Sequence, residues 1–279
     1  MVLHPDDDPY VPASVYPNLL EYPYGKTSFS VGVLRPGASP YEWKTSHYQR
    51  PATDDLVIYE LLLRDFLETS SYQTLIDTLD YLERLGINAI ELMPVNEFEG
   101  NLSWGYNPSF HLALDKYYGT KDSFKAFVDA AHSRGIAVIL DVVLNHAYGR
   151  SPLIRLWNEG DYGAPTSQNP YANQVPKHPY NVGYDLNHES AATRYFSKRV
   201  MEYWLNEYRI DGFRFDLSKG FTQVDNLNDV GAWGAYDASR IAIWKDYYDY
   251  IRSVDSSAYV ILEHFGDNYE ERVLVDIGM

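Results

Sequence analysis

Residues 136–144 read IAVILDVVL, an apolar run broken only by Asp141 and followed directly by Asn145 and His146. A nearly continuous apolar run is typical of a strand buried on both faces, as in a parallel sheet. The preceding segment, 121–135, has apolar residues at helical spacing and closes on a glycine, which predicts a helix. A helix leading into a buried strand indicates a β/α unit.

The same alternation runs outward in both directions. Further strands are predicted at 56–63, 87–95, 210–216 and 258–265, and further helices at 70–86, 191–208 and 238–254. No glycine-rich phosphate motif follows any strand, so neither a dinucleotide fold nor a P-loop fold is indicated. The long loop 145–190 falls after a strand, where a barrel builds its active site.

The fold class is therefore predicted as α/β, a TIM (β/α)8-type barrel with about five of its eight units present. Residues 53–279 form this partial barrel, with 145–190 inserted after strand three. Residues 1–52 are rich in Pro, Gly and Tyr, and 27–36 alternates like a strand, so this part is predicted to be a β-domain remnant and linker.

Composition excludes several classes of function. The net charge of −16 opposes binding to nucleic acid, and no apolar stretch is long enough to span a membrane. With no cysteine, disulfides and thiolate metal sites are excluded. No signal peptide is visible, so the compartment stays open between secreted and cytoplasmic. The 26 tyrosines and 6 tryptophans suit contacts with sugar rings, although they equally fill a core.

Polar side chains end four successive strands. The groups are Glu97 and Glu99 with the SWGYNP loop, then Asp141, Asn145 and His146, then Arg214 and Asp216, then Glu263 and His264. Because parallel strands of a barrel all point the same way, these groups are expected on one rim. Each alone could be a salt bridge, a loop brace or a solvated rim, but that explanation does not suit the whole set.

GFRFD (212–216) carries the sharpest pattern. Side chains alternate across a strand, so Arg214 and Asp216 share one face while Phe213 and Phe215 share the other. The phenylalanines are expected to pack on the helices and the charged pair to point into the barrel mouth. The guanidinium is expected to lower the pKa of Asp216 and keep it ionised, which suits a nucleophile or base.

Glu263 supplies a second carboxyl group from the next strand. Apolar or like-charged surroundings would raise its pKa and make it a proton donor. One ionised and one protonated carboxyl group are what a glycosidase needs, and neighbouring strands about 5 Å apart suit the short separation of retaining enzymes.

These segments resemble a known family. DVVLNH (141–146), GFRFDLSKG (212–220) and ILEH (261–264) are similar, in order, to three of the four signature segments of the α-amylase family of glycoside hydrolases (family 13). SWGYNP (103–108) resembles the family's loop after strand two. The resemblance covers about residues 55–279.

The resemblance implies roles for individual residues. Asp216 resembles the nucleophile that forms a covalent glucosyl-enzyme, and Glu263 the general acid and base. The positions that would bind substrate are Tyr106, His146, Arg214, Lys219 and His264. Asp141 resembles a structural member of its motif.

One match to the family pattern and one departure from it bear on metal and specificity. Asn145 and Asp185 match positions that bind a structural calcium ion in many members, and both offer the oxygen ligands that calcium requires. Gly220, however, stands where α-amylases often carry a histidine. No other cofactor is implied.

The fourth signature segment is missing, and VLVDIGM (273–279) is expected at or just before a sixth strand. The chain is therefore expected to be a fragment that needs the rest of its own barrel, and to be inactive alone. The predicted activity is retaining hydrolysis of α-1,4 bonds in starch- or glycogen-type glucans. Branching or debranching at α-1,6 bonds is an alternative within the family, and a non-catalytic glucan-binding protein is one outside it. A metal-dependent barrel hydrolase is disfavoured because no His-x-His pair occurs.

Overall fold

The computed structural model describes all 279 residues. Its strands are β1 (Val2–Leu3), β2 (Val31–Gly32), β3 (Ile58–Leu61), β4 (Ala89–Leu92), β5 (Asn96–Phe98), β6 (Pro108–Leu114), β7 (Ala137–Val142), β8 (His146–Ala147), β9 (Tyr184–Asp185), β10 (Gly212–Phe215) and β11 (Tyr259–Leu262). Its helices are α1 (Leu63–Phe66), α2 (Tyr72–Arg84), α3 (Lys121–His132), α4 (Pro152–Arg155), α5 (Ala191–Tyr208), α6 (Val230–Gly234), α7 (Ala238–Val254) and α8 (Asn268–Ile277).

Five parallel strands form the central sheet, in the order β11-β10-β7-β4-β3. These are the five strands that the apolar runs predict, each shorter than its run. The register sets Arg214 beside Asp141 on one side and Ile261 on the other. Both outer strands have a free edge, so the sheet is open rather than closed into a barrel.

Helices α2, α3, α5 and α7 cover one face of this sheet and enclose the main core. Each begins at a side-chain cap, formed by Ser71, Thr120, Ser190 and Asp237. Phe213 and Phe215 are fully buried on this side, and the Phe215 ring lies 5.0 Å from that of Trp244 in α7. The predicted outward packing of the two phenylalanines is confirmed.

Gly212 allows β10 and β11 to approach closely. A Cβ atom at this position would lie 2.6 Å from the Cβ of Tyr259, closer than real side chains come. Glycine is therefore required where this strand enters the sheet.

The expectation that residues 273–279 lie at a sixth strand is wrong, because residues 273–277 lie inside helix α8; a position just before such a strand stays a prediction. Their apolar side chains follow helical spacing, and Leu274 is buried in the main core while Val275 is 65% exposed.

The two remaining parts of the chain contain little regular structure. Before β3, only β1 and β2 pair, through two residues each. The inserted loop 145–190 contains β8, β9 and α4, and it packs around a small apolar cluster of its own (Ala147, Leu153, Ile154, Ala172 and Leu186). None of the helices combines the length and the apolar character that a bilayer span requires.

Candidate active site

Arg214 is the centre of the candidate site. It projects from β10 away from the helices, and its Nη1 donates to Asp141 at 3.0 Å and to Asp216 at 3.3 Å. Its Nη2 lies 3.2 Å from Oε1 of Glu263. One guanidinium therefore joins carboxylates that end three neighbouring strands, and the predicted meeting of Arg214, Asp216 and Glu263 is observed.

Tyr106 joins this group from the loop between β5 and β6. Its hydroxyl donates to Asp141 at 2.7 Å, and its carbonyl oxygen lies 2.8 Å from Nε2 of His146. His146 is almost completely buried, and its other ring nitrogen lies 3.2 Å from the Asn145 amide. In this arrangement the His146 ring supports the Tyr106 loop, and Asp141 connects that loop to Arg214.

The charge state of Asp216 differs from the sequence prediction. Burial, together with the nearby Glu263, raises the pKa of Asp216 to about 6, although Arg214 acts in the opposite direction. Arg214 lowers this pKa as expected, but the expected net decrease is wrong, because the loss of hydration outweighs one shared guanidinium. Asp216 is still mostly ionised at neutral pH.

Burial raises the pKa of Asp141 more than it raises that of Asp216. Its side chain is fully buried, and burial raises its pKa to about 8 against the opposing influence of Arg214 and Tyr106. The sequence assigns Asp141 only a structural role, but the structure places its carboxyl group within the Arg214 cluster.

Glu263 is fixed by the turn that follows β10. The backbone N–H of Leu217 donates to Oε2 of Glu263 at 2.8 Å, and Leu217 has a φ of 46°, an uncommon backbone conformation for a leucine. Such conformations concentrate at functional sites, where the surrounding structure enforces them.

A network of buried hydrogen bonds holds the backbone of Glu263 in place. The Ser218 hydroxyl donates to the Glu263 carbonyl at 2.8 Å and lies 2.9 Å from Nδ1 of His264. Nε2 of His264 lies 2.8 Å from Glu270 in α8, and Arg240 in α7 donates to the same carboxylate at 2.6 and 2.8 Å. Both ring nitrogens of His264 are occupied, so it has none left for a sugar.

Lys219 lies at the edge of the site. Its amine donates to the carbonyl of Phe265 at 2.8 Å and lies 4.0 Å from the centre of the Trp233 ring. Burial, aided by Arg240, lowers its pKa. Lys219 thus connects the turn after β10 with the segment that follows Glu263.

Asn145 and Asp185, the predicted calcium ligands, are close together because β8 pairs with β9. Oδ1 of each is buried and has no hydrogen-bond partner, and a Cβ atom at Gly220 would overlap Oδ1 of Asn145. The third orphaned group is the imidazole of His178, whose Nε2 lies 3.5 Å from Oδ1 of Asp185. Calcium takes six to eight oxygen ligands, and two oxygens beside an imidazole do not fit that shell.

Neither Arg240 nor Glu270 is predicted as a site residue from the sequence. They lie 30 residues apart on different helices, and neither belongs to a recognisable motif. The one available signal was an arginine in the first turn of α7, on the face that carries Ile243, Trp244 and Tyr247.

Comparisons with known proteins agree with this geometry. Residues 65–158 match the model of the alpha-amylase catalytic domain. The chain is 36% identical to malto-oligosyltrehalose trehalohydrolase from Saccharolobus solfataricus, over 63% of the chain and 30% of that protein. It is 31% identical to pullulanase from Bacillus subtilis, over 70% of the chain and 31% of that protein.

A solved structure of type I pullulanase from Bacillus subtilis, complexed with maltose, superimposes with a TM-score of 0.61 at 26% identity. It covers 85% of this chain and 35% of that one. The fold is thus α-amylase-like, of TIM-barrel type, and the chain spans about a third of the length of these relatives. The ordered motifs, the domain match and these relatives together place the chain in the α-amylase family of glycoside hydrolases.

Proposed function

We propose that this chain carries the nucleophile and the acid–base group of a retaining glycoside hydrolase that cleaves α-1,4 bonds of starch- or glycogen-type glucans. The observation that carries the proposal is that Asp216 and Glu263 contact the same guanidinium, that of Arg214. Retaining glycosidases need two carboxyl groups close together, one to attack and one to transfer a proton.

The proposed reaction has two steps. An Asp216 oxygen attacks the anomeric carbon, the bond to the leaving oxygen breaks, and Glu263 gives that oxygen its proton. A water molecule then gives a proton to Glu263 and attacks the same carbon, and the ester bond between that carbon and Asp216 breaks. Arg214 holds the nucleophile and offsets its charge.

The remaining residues are proposed to bind and support the sugar. The Tyr106 ring would stack on the glucosyl unit at the cleaved bond, and Lys219 would contact the leaving side. His146 would shape the floor beneath that unit through the Tyr106 loop. We propose for His264 a positioning role behind Glu263 in place of the predicted sugar contact.

A second candidate is hydrolysis or transfer at α-1,6 bonds, which the similarity to a pullulanase favours. The chemistry at Asp216 and Glu263 would be unchanged, and only the acceptor and the loops would differ. Product analysis on amylose and on pullulan separates the two: maltooligosaccharides from amylose support the first, and maltotriose from pullulan supports the second.

Asp216→Asn tests the proposal in a protein that completes the barrel around this chain. Turnover of α-glucan should fall by at least about 10³-fold because no covalent intermediate can form. Binding of maltoheptaose, measured by calorimetry, should stay within about threefold. Loss of binding together with turnover would make Asp216 structural, and unchanged turnover would exclude it as the nucleophile.

A further inference from the structure

A cavity of about 580 Å³ lies next to the candidate active site and contains none of its catalytic residues. Its walls come from three separate parts of the chain. The N-terminal segment contributes His4, the turn after β5 contributes Glu99, and the inserted loop contributes Tyr148, Arg150, Tyr162 and Tyr184. This volume is in the range of small-ligand pockets.

Its aromatic wall is held in place. The guanidinium of Arg155 lies 4.6 Å from the Tyr162 ring and 3.8 Å from the Phe29 ring, and the two rings themselves meet edge to face with centroids 5.9 Å apart. The Tyr184 hydroxyl donates to the Tyr162 carbonyl at 3.2 Å. Tyr162 is nevertheless 42% exposed, and a fixed, exposed aromatic ring is a platform for the apolar face of a sugar.

The polar groups of the cavity are also fixed. The Arg150 guanidinium is bound to Asp7, and the Arg150 N–H donates to Glu99 at 2.9 Å. His4 is 4% exposed, and its buried Nε2 has no hydrogen-bond partner. An orphaned buried nitrogen in the wall of a cavity is a group that a hydroxyl of a ligand can satisfy.

The charged side chains around the cavity indicate which class of ligand it would bind. Arg150 is offset by Asp7, Asp6 and Glu99, so the surroundings carry no excess positive charge for a phosphate or carboxylate ligand. The positive charge of the Arg150 guanidinium also disfavours a metal ion in the cavity. A neutral ligand with many hydroxyl groups suits tyrosine rings interspersed with a carboxylate, a guanidinium and an imidazole.

The cavity also adjoins the cleavage position. The Tyr148 ring, which lines it, lies 6.0 Å from the His146 ring. Gly183 lies against the same imidazole, since a Cβ there would be 2.7 Å from its Cδ2 atom. We propose that the cavity is a second α-glucan-binding site, separate from the catalytic cleft and built jointly by the N-terminal segment and the inserted loop; this rests on the proposed α-glucan substrate.

The test is calorimetry of the 279-residue chain carrying Asp216→Asn, titrated with maltoheptaose. Tyr162→Ala should reduce the number of maltoheptaose molecules bound per chain by one. Glu99→Gln, which keeps the shape of the side chain, should weaken binding at that site at least about fivefold. Tyr195→Ala removes an exposed helical tyrosine, 70% exposed, and should change neither quantity. Circular dichroism confirms the fold of each variant.

Tyr106→Ala separates the cavity from the cleft. If Tyr162→Ala and Glu99→Gln match Tyr195→Ala while Tyr106→Ala removes binding, the cavity proposal is overturned and the proposed function stands. If Tyr162→Ala removes binding that Tyr106→Ala leaves intact, the cavity proposal holds and the cleft loses its support. Absence of maltoheptaose binding in every variant overturns the cavity proposal, and the Asp216→Asn experiment in the barrel-complete protein then decides the proposed function.

Discussion

At the scale of single residues, the site depends on an arginine that is shared rather than paired. Arg214 contacts Asp141, Asp216 and Glu263, so its single charge is divided among three acids. Asp216 therefore carries a net cost of ionisation, and its pKa rises to about 6. A carboxylate held in this state destabilises the fold, and a reaction that neutralised it, as proposed for Asp216, would remove that cost.

Asp216→Asn should accordingly stabilise this chain at neutral pH. A folded pKa raised from 3.8 to about 6 means that the contribution of Asp216 to stability is complete below about pH 4 and is lost as pH rises through 6. At pH 8 the variant should gain on the order of 2 kcal/mol in unfolding free energy, and near pH 4 almost none. Urea unfolding at both pH values measures this.

A matched control is Asp225→Asn, whose side chain is 65% exposed. It should change stability by less than about 0.5 kcal/mol at either pH. A destabilised Asp216→Asn at pH 8 would show that the Arg214 pairing outweighs burial.

At the scale of elements, α7 and α8 hold Glu263, the proposed acid–base residue, through Arg240, Glu270 and His264. Burial alone would raise the pKa of Glu270, but hydrogen bonds from His264 and Arg240 keep it at about 2. Its ionised form therefore stabilises the fold above about pH 4.5, and this contribution disappears as pH falls toward 2. Through His264 and Ser218, the same contact fixes the backbone of Glu263.

Glu270→Gln should cost about 3 kcal/mol of unfolding free energy at pH 7, because the fully buried Arg240 loses its countercharge. In a barrel-complete protein it should also shift the pH profile of kcat, which a purely structural defect would not do. The control is the exposed Glu189→Gln. A Glu270 variant within about 0.5 kcal/mol of this control would contradict the proposed network.

The pairing of β8 with β9 leads to a prediction about whether this chain depends on a bound metal ion. Since the buried oxygens of Asn145 and Asp185 lie beside an imidazole and not in a full oxygen shell, we expect EDTA to leave the Tm of the chain within about 1 °C. His178→Ala should lower the Tm by several degrees, since it removes a fully buried ring that stacks on Trp233 at 5.3 Å. If EDTA lowers the Tm and added calcium reverses the fall, the chain binds the calcium ion that the family resemblance implies.

How far sequence predicts each element depends on where its signals lie. Helices α5 and α7 match their predicted bounds because Ser190 and Asp237 cap them locally. The strand predicted at 87–95 shortens to Ala89–Leu92 because the apolar run continues beyond the hydrogen-bonded ladder. The contact of Arg214 with Asp216 and Glu263 followed from alternation and strand order. The pKa of Asp216 did not, because burial depends on the whole fold.

At the scale of the whole molecule, five parallel strands form an open sheet with an edge at β3 and another at β11. The site lies on β7, β10 and β11, so one of its strands is an edge. We predict that the 279 residues alone release no reducing sugar from starch, because three of the eight strands of a barrel, and the fourth signature segment, are missing. Release by the pure chain, abolished by Asp216→Asn, would show that five strands suffice.

The register of β10 determines both the position of Arg214 in the candidate site and the packing of Phe213 and Phe215 in the core. Arg214 lies opposite Asp141 and Ile261, and its neighbours Phe213 and Phe215 face the helices. A slip of one residue along this strand would bury the guanidinium among aromatic rings and turn phenylalanine toward the acids. Correct pairing of β10 therefore assembles the core and the Arg214 cluster in one step, and an error in its register would be felt in both.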